Sequence, residues 1–487
     1  MPSQKLTKTI GLWSGIAIVI GSIIGSNIFM KPATMAAQLG SPYMIILVWI
    51  VAGIVSMFGA LAYAELGTMF PETGGQYVYL RNTFGDFIAY LYGWGSVAVV
   101  NTAAIAAMGF VCASYAGYFI PLPHFNADVE QSIIIHIPMI GDIMPLQNFG
   151  VKALAILIIM FLSVLNYVSV RMGNTLQLIA TFLKTIAILF LVFGILFSGS
   201  GSTGNFITNA PDFNLSGWKL LGGFMAATTG AFAAYDGWNN LNMVAGEIKN
   251  PKKVITRSLI IGLWICILVY VLITIAYIYV LPINVVAKSP LVASQATAVV
   301  MGPIAATIIA VLIVVSTFGA ATVNLLTNAR VVFAMSESNI FFRWSGKVHP
   351  KFKTPGNAVL ILGLWSSFLI LTGSFDILAD MFVFVSWVFY GLVIFGLFIL
   401  RKTKPNIERP YKTWGYPFIP FIFLLFTTIY IITTLYYDIS NYVEGKSPII
   451  NSVFGLVLTA LGTPLYFYFN KKNKKSKSNM DGDIYSG

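Results

Sequence analysis

The groups best placed to do chemistry in this chain are backbone amides and carbonyls, exposed where two apolar segments are interrupted. The first interruption reads Gly21-Ser22-Ile23-Ile24-Gly25-Ser26-Asn27-Ile28-Phe29. Ile23 and Ile24 would close one half-helix with unpaired carbonyls, which suit an ammonium. A second half-helix would open near Ser26 with unpaired N–H groups of partial positive charge, which suit a carboxylate. The second interruption reads Ala233-Ala234-Tyr235-Asp236-Gly237-Trp238, with Asn239 following. It offers carbonyls near Phe232 and Ala233 and free N–H groups beyond Gly237. Each such group left unpaired in lipid costs several kcal/mol unless a cavity wets it or a ligand binds it. Two interruptions at corresponding places in two halves point to a binding site at the bilayer midplane. A Gly-x-x-x-Gly packing face (Gly21, Gly25) would explain the first alone.

Few side chains compete with this backbone chemistry. Lys184 is the one basic residue deep in an apolar run, about ten residues from either end of its span by sequence position. Asp236 is the one acid beside the second interruption, where it would cap N–H groups, hold a cationic side chain or carry a proton. Glu65 and Glu247 stand near the inner ends of their spans, where partnership with Arg or Lys would make a gate. Phe232, Tyr235 and Trp238 either close over a ligand or simply pack. His124, His136 and His349 fall in loops with no metal-ligand spacing, and no phosphate loop occurs. No metal, cofactor or enzymatic reaction is therefore expected.

The elements that must position these groups are membrane helices. Charged residues are 9% of the chain and hydrophobic ones 57%, whereas soluble domains carry about a quarter charged residues. Apolar runs of spanning length fall near 12–39, 42–70, 86–119, 149–168, 174–198, 216–246, 256–281, 302–335, 357–373, 377–400, 416–437 and 449–469. The net charge of +12 does not indicate nucleic acid, because 23 of the 29 basic residues collect on one face. Lys31, Lys152, Lys219, Lys288 and Lys446 fall on the other. This bias places both termini in the cytoplasm. The first apolar run reads as a retained span, not a cleaved leader. Cys112 and Cys266 both lie inside spans, so no disulfide-linked heavy chain is expected. The stretch from 121 to 145 is a long outer loop, and 284–300 is amphipathic enough to lie across the outer mouth.

Several motifs in order and spacing carry a family likeness. Ile24-Gly25-Ser26-Asn27-Ile28-Phe29 looks like the I-G-S-G-I-F signature of the amino acid–polyamine–organocation superfamily. Tyr63-Ala64-Glu65-Leu66 and Pro71-Glu72-Thr73-Gly74-Gly75-Gln76-Tyr77-Val78-Tyr79-Leu80 resemble a run in its L-amino acid transporter branch. Gly237-Trp238-Asn239 and Gly246-Glu247-Ile248-Lys249-Asn250-Pro251 are similar to that branch's sixth helix. The likeness covers roughly residues 10 to 400 and is nearest in kind to bacterial alanine–serine–cysteine exchangers. It departs at Asn27, where the family has glycine.

The resemblance implies an all-α integral membrane protein with the LeuT-like fold: about twelve helices, a five-plus-five inverted repeat, and broken helices 1 and 6. The divisions expected are an N-terminal segment 1–11, a first repeat 12–198, a second repeat 199–400, two further helices in 401–470 and a basic tail 471–487. It implies sodium-independent exchange of small neutral L-amino acids across the cell membrane. It also implies that Lys184 replaces a sodium ion, touching carbonyls of residues 21–24 and the Ser316–Thr317 region, and that Tyr277 lies near the substrate carboxylate. The expected substrate contacts are Ile23, Ile24, Gly25, Ser26, Asn27, Phe232, Ala233, Tyr235, Asp236, Gly237, Asn239 and Tyr277, with a zwitterionic amino acid and membrane lipid as partners. The alternatives are a proton-coupled carrier of cationic amino acids or polyamines, and a membrane sensor that does not translocate.

Overall fold

A computed structural model describes residues 10–471 except 73, 169, 212–215, 246–247 and 353. Helices α1 (Leu12–Ile23) and α2 (Asn27–Leu39) form one span bent by 48° at residues 24–26. Gly40, with φ 58°, ends α2 in the left-handed conformation that glycine adopts without penalty. Pro42 then opens α3 (Pro42–Met69), where its missing N–H is harmless. After α4 (Gln76–Phe84), one span is built from α5 (Asp86–Gly95), a π-helical turn Ser96–Val100 and α6 (Asn101–Ala116).

The long loop expected over 121–145 contains α7 (Ala127–Glu130) and an antiparallel hairpin of β1 (Ile135–Ile137) and β2 (Gly141–Ile143), pairing Ile135 with Ile143. Gly141 also pairs with Ile449, so the hairpin is sewn to a connection distant in sequence. Then follow α8 (Phe149–Val168), α9 (Val170–Leu196), α10 (Gly217–Tyr235) and the single turn α11 (Asn240–Met243). The chain continues with α12 (Pro251–Val280), α13 (Ile283–Lys288) and α14 (Val292–Glu337). It ends with α15 (Gly356–Thr372), α16 (Phe375–Thr403), α17 (Phe418–Val443) and α18 (Asn451–Ala460).

Among the described residues, eight helices are long and apolar enough to cross a membrane, and the bent pair α1–α2 makes a ninth. The shorter apolar helices Leu183–Leu196 and Gly356–Thr372, and the interrupted α10–α11 pair, fall where the other three spans were expected. The chain is thus a multi-pass helical membrane protein of the fold class expected from its motifs.

One boundary agrees with the expectation and one differs. Helical residues run on from Val292 to Glu337 in α14, but Gly302 (φ 80°, ψ 178°) with Pro303 breaks them into two helices, so the eighth span begins at 302 as expected. Proline cannot donate to the preceding turn, so an outer piece and the membrane piece meet there at an angle. That outer piece, with α13, is the amphipathic segment expected over 284–300. The sixth span closes early, because α10 stops at Tyr235 and only one turn, α11, follows before the undescribed residues 246–247.

Packing divides the helices into two groups. In one, α1 packs on α12, α2 on α10, and α3 on both α10 and α12. In the other, α6 packs on α14, α8, α15 and α16, while α9 lies along α14 and also touches α12. The two interrupted spans thus sit in one group, and the residues that reach them from α9 and α16 come from the other side.

Candidate substrate site at the broken helices

The first interruption arises where α1 ends at Ile23 and Ile24 turns into extended backbone (φ −69°, ψ 97°). Helix α2 restarts at Asn27, with Ser26 as its cap residue but no side-chain capping bond. The N–H groups of Gly25, Ser26, Asn27 and Ile28 consequently make no backbone hydrogen bond among the described residues. They form the positive end of a three-turn helix, open to an anion. A Cβ on Gly25 would meet only the Ile23 carbonyl, at 3.8 Å, and one on Gly21 would meet nothing within 4 Å. Free space therefore lies in front of this turn.

The second interruption is set by Asp236 (φ −57°, ψ 149°) and Gly237 (φ 98°). Gly237 packs directly on the first interruption: a Cβ there would lie 2.8 Å from the Ser22 carbonyl oxygen. Gly237→Ala should thus combine backbone strain of about 1–3 kcal/mol with a clash against backbone that cannot rotate away. We expect the purified variant to lose both thermal stability and transport. Gly21→Ala, facing open space in a helix, should keep its melting profile.

The unpaired carbonyls at the two interruptions are answered mostly by the chain itself. The Tyr270 hydroxyl on α12 lies within hydrogen-bond distance of the carbonyls of both Ile23 (2.9 Å) and Ala234 (2.7 Å), its single proton being shared between them. The Asn27 amide donates to the Ala233 carbonyl. The Lys184 ammonium on α9 donates to the carbonyls of Ile24 and, at 3.4 Å, Gly21. This corrects the expected division of labour: of the three carbonyls assigned to a ligand ammonium, Ile23 and Ala233 already serve a tyrosine and an asparagine. Only the Phe232 carbonyl accepts from no side chain among the described residues. A carbonyl keeps a second lone pair, so Ile23 and Ala233 still accept from a ligand, but as a second partner.

Lys184 is 9% exposed and reaches the first helix as expected. The Thr317 hydroxyl turns instead to its own helix, donating to the carbonyls of Ile313 (2.8 Å) and Val314 (3.1 Å). Tyr277 is not at the interruptions. It lies two turns outward from Tyr270, fully buried, and its hydroxyl has no partner among the described residues. Seven residues separate the two tyrosines, so they share one helix face, and the sequence could not tell which depth the interruptions occupy. Tyr270 is the residue that sequence reasoning missed.

The three aromatics of the second interruption point to three different neighbours. Phe232 stacks on Trp387 with centroids 3.6 Å apart. Tyr235 packs on Tyr270 at 5.0 Å and donates to the Trp49 carbonyl (3.0 Å). Trp238 meets Tyr63 at 4.7 Å and Tyr390 at 5.0 Å. All three are almost wholly buried, which matches packing and leaves no ring free as a lid. Asp236 accepts a 2.6 Å hydrogen bond from the Tyr390 hydroxyl, which also lies 3.4 Å from the Asn239 amide oxygen. Asp236 forms no ion pair among the described residues.

Two ion clusters flank this zone, both ending on α16. At the head of α16, the buried Lys31 ammonium bonds Asp376 (2.6 Å) and Asp380 (3.0 Å), and Thr34 donates to Asp376. The i,i+4 acids at the head of an apolar span were the available signal for this partner, which sequence reasoning left unread. At the foot of α16, Glu65 is fully buried and holds Arg401 through two bonds of 2.9 and 2.6 Å. It also accepts from the Thr413 amide and hydroxyl, each at 2.7 Å, with Arg409 at 3.5 Å. Glu247, expected in a similar network, lies outside the described residues.

A multi-pass helical bundle with two facing interruptions, no clustered metal-binding side chains among the described residues, and ion pairs at both ends of α16 defines a membrane carrier. The chain belongs to the amino acid permease family, which it matches over residues 10–459, within the amino acid–polyamine–organocation superfamily. It is 31% identical over 475 residues to the serine/threonine exchanger SteT of Bacillus subtilis (strain 168), covering 97% of this chain and 98% of that one. It is 30% identical to the mouse b(0,+)-type amino acid transporter 1, over 89% of this chain and 84% of that one. It is 31% identical to the mouse large neutral amino acids transporter small subunit 2, over 96% and 83%. Its activity is amino acid transport, not catalysis.

Proposed function

We propose that the protein exchanges small neutral L-amino acids across the cell membrane without sodium. The observation that carries this reading is the pairing of N–H groups at residues 25–28, which make no backbone hydrogen bond among the described residues, with carbonyls of the same interruption held by a lysine. The substrate carboxylate binds the N–H groups of Gly25, Ser26 and Asn27. Its ammonium binds the Phe232 carbonyl and the spare lone pairs of Ile23 and Ala233. Lys184 occupies, as a fixed cation, the carbonyl end where a mobile cation would otherwise be needed. The halves 12–198 and 199–400 act as inverted repeats, with both termini cytoplasmic, and alternate exposure of the site needs a ligand with differential affinity for the two conformers. The likeness to a serine/threonine exchanger supports the choice of small substrates.

The test is uptake of radiolabelled L-alanine into proteoliposomes without sodium, with and without unlabelled L-serine inside. Stimulation by internal serine is the expected result, and its absence removes the exchanger reading. Gly25→Ala should then lose uptake at unchanged thermal stability, because the new methyl group enters open space in front of the amides.

A second reading rests on Asp236, a carboxylate beside the site that accepts from Tyr390 and forms no ion pair among the described residues. It makes the substrate a cationic amino acid or polyamine, coupled to protons. Arginine or putrescine uptake under a proton gradient, lost in Asp236→Asn, would favour it; Asp236→Asn with intact alanine exchange would remove it.

A further inference from the structure

We propose that Asn27 sets the size limit of the substrate: its carboxamide is a fixed wall of the site, pinned across the two interruptions. The proposal rests on the amino acid exchange reading above and names a determinant of which amino acids pass. Asn27 is the first residue of α2, one position beyond the cap Ser26, and is half-buried. Its amide nitrogen donates to the carbonyl of Ala233, 206 residues away in the last turn of α10. The side chain therefore spans from one interruption to the other and does not swing freely.

The surroundings divide sharply. On the Gly21 and Gly25 side there is open space. On the Asn27 side, the Cβ, Cγ, Oδ1 and Nδ2 atoms stand where glycine would leave a gap between the two helix ends. The neighbouring carbonyls of Ile23 and Ala234 share the Tyr270 hydroxyl, so a displaced Asn27 amide would compete with that tyrosine for either of them. A ligand with a larger side chain must expel the amide from Ala233 and break the bond that joins the two interruptions. A ligand the size of alanine or serine need not. Discrimination of this steric kind is worth about 10- to 200-fold per methylene in a tight pocket.

The experiment compares unsubstituted protein, Asn27→Gly and Asn27→Ala in proteoliposomes preloaded with serine. Labelled alanine uptake is measured against unlabelled glycine, alanine, leucine and phenylalanine, and ligand-induced shifts of melting temperature in detergent report binding independently of turnover. In Asn27→Gly, the potency of leucine relative to alanine should rise about tenfold or more, with Asn27→Ala between. An unchanged leucine-to-alanine ratio in both variants would overturn the proposal and leave Asn27 as a tether only. A folded Asn27→Gly that binds neither ligand would also overturn it, making the amide an anchor for the substrate. If Asn27→Gly is not monodisperse, Asn27→Ala carries the same ratio test. Failure of the unsubstituted protein to bind any amino acid would take down the exchanger reading itself, and is seen before any variant is compared.

Discussion

Lys184→Ala should lower exchange turnover about 100-fold while changing the apparent affinity for alanine by no more than a few-fold. The ammonium satisfies carbonyls of Gly21 and Ile24 at the C-terminal, negative end of α1. Its loss leaves the buried Ile24 carbonyl unpaired at about 1–3 kcal/mol, with a smaller loss at Gly21, and 1.36 kcal/mol is tenfold in rate. In the proposed binding mode alanine itself has little to lose, because its carboxylate is assigned to the opposite, N–H-bearing side of the interruption. Single-turnover counterflow and a binding assay separate the two effects. The same variant assayed in sodium and in choline salts tests the cation-substitute role. Sodium-stimulated recovery supports it, whereas wild-type rates in either salt would sink it.

Glu65→Gln should be the most destabilising of the substitutions considered. Glu65 is fully buried and is the one acid facing Arg401 and Arg409 among the described residues, with Thr413 donating to it twice. Removing one partner of such a pair strands buried guanidinium charge and costs about 3–5 kcal/mol. Arg401 also stacks on the Tyr416 ring at 3.6 Å, so its side chain cannot easily leave for solvent. A lower melting temperature and a poorer yield of monodisperse protein are expected. An unchanged melting profile would show that the cluster is not holding α3 against α16.

How far the sequence could be read follows from how local each cause is. The interruptions were legible because glycine, serine, asparagine and aspartate mark where an apolar helix cannot continue, and the backbone breaks within a residue or two of them. Lys184 was legible as a group in need of a partner because of its depth in an apolar span, and the family resemblance pointed to carbonyls of residues 21–24 as that partner. The fate of those carbonyls was not. Their donors come from α9, α12 and α2, and no periodicity tells that Tyr270 and not Tyr277 stands at the right depth. The aromatic residues near Gly237 were legible as buried, but not as facing three ways. Lys31 read as an outer surface charge because its partners lie about 345 residues on, and only the fold brings the heads of α2 and α16 together.

Helix α16 is held at both ends, with opposite polarity: acids at its head grip Lys31, and a base at its foot grips Glu65. The two fastenings differ in their insulation. Asp376 is 44% exposed, whereas Glu65 is sealed from water. Ions at physiological strength screen the first and scarcely reach the second. The helix thus behaves like a door with a weatherproof bolt at one end and a salt-sensitive one at the other. Changes in the salt of the medium bathing the Lys31 end bear on that fastening while leaving the Glu65 closure untouched.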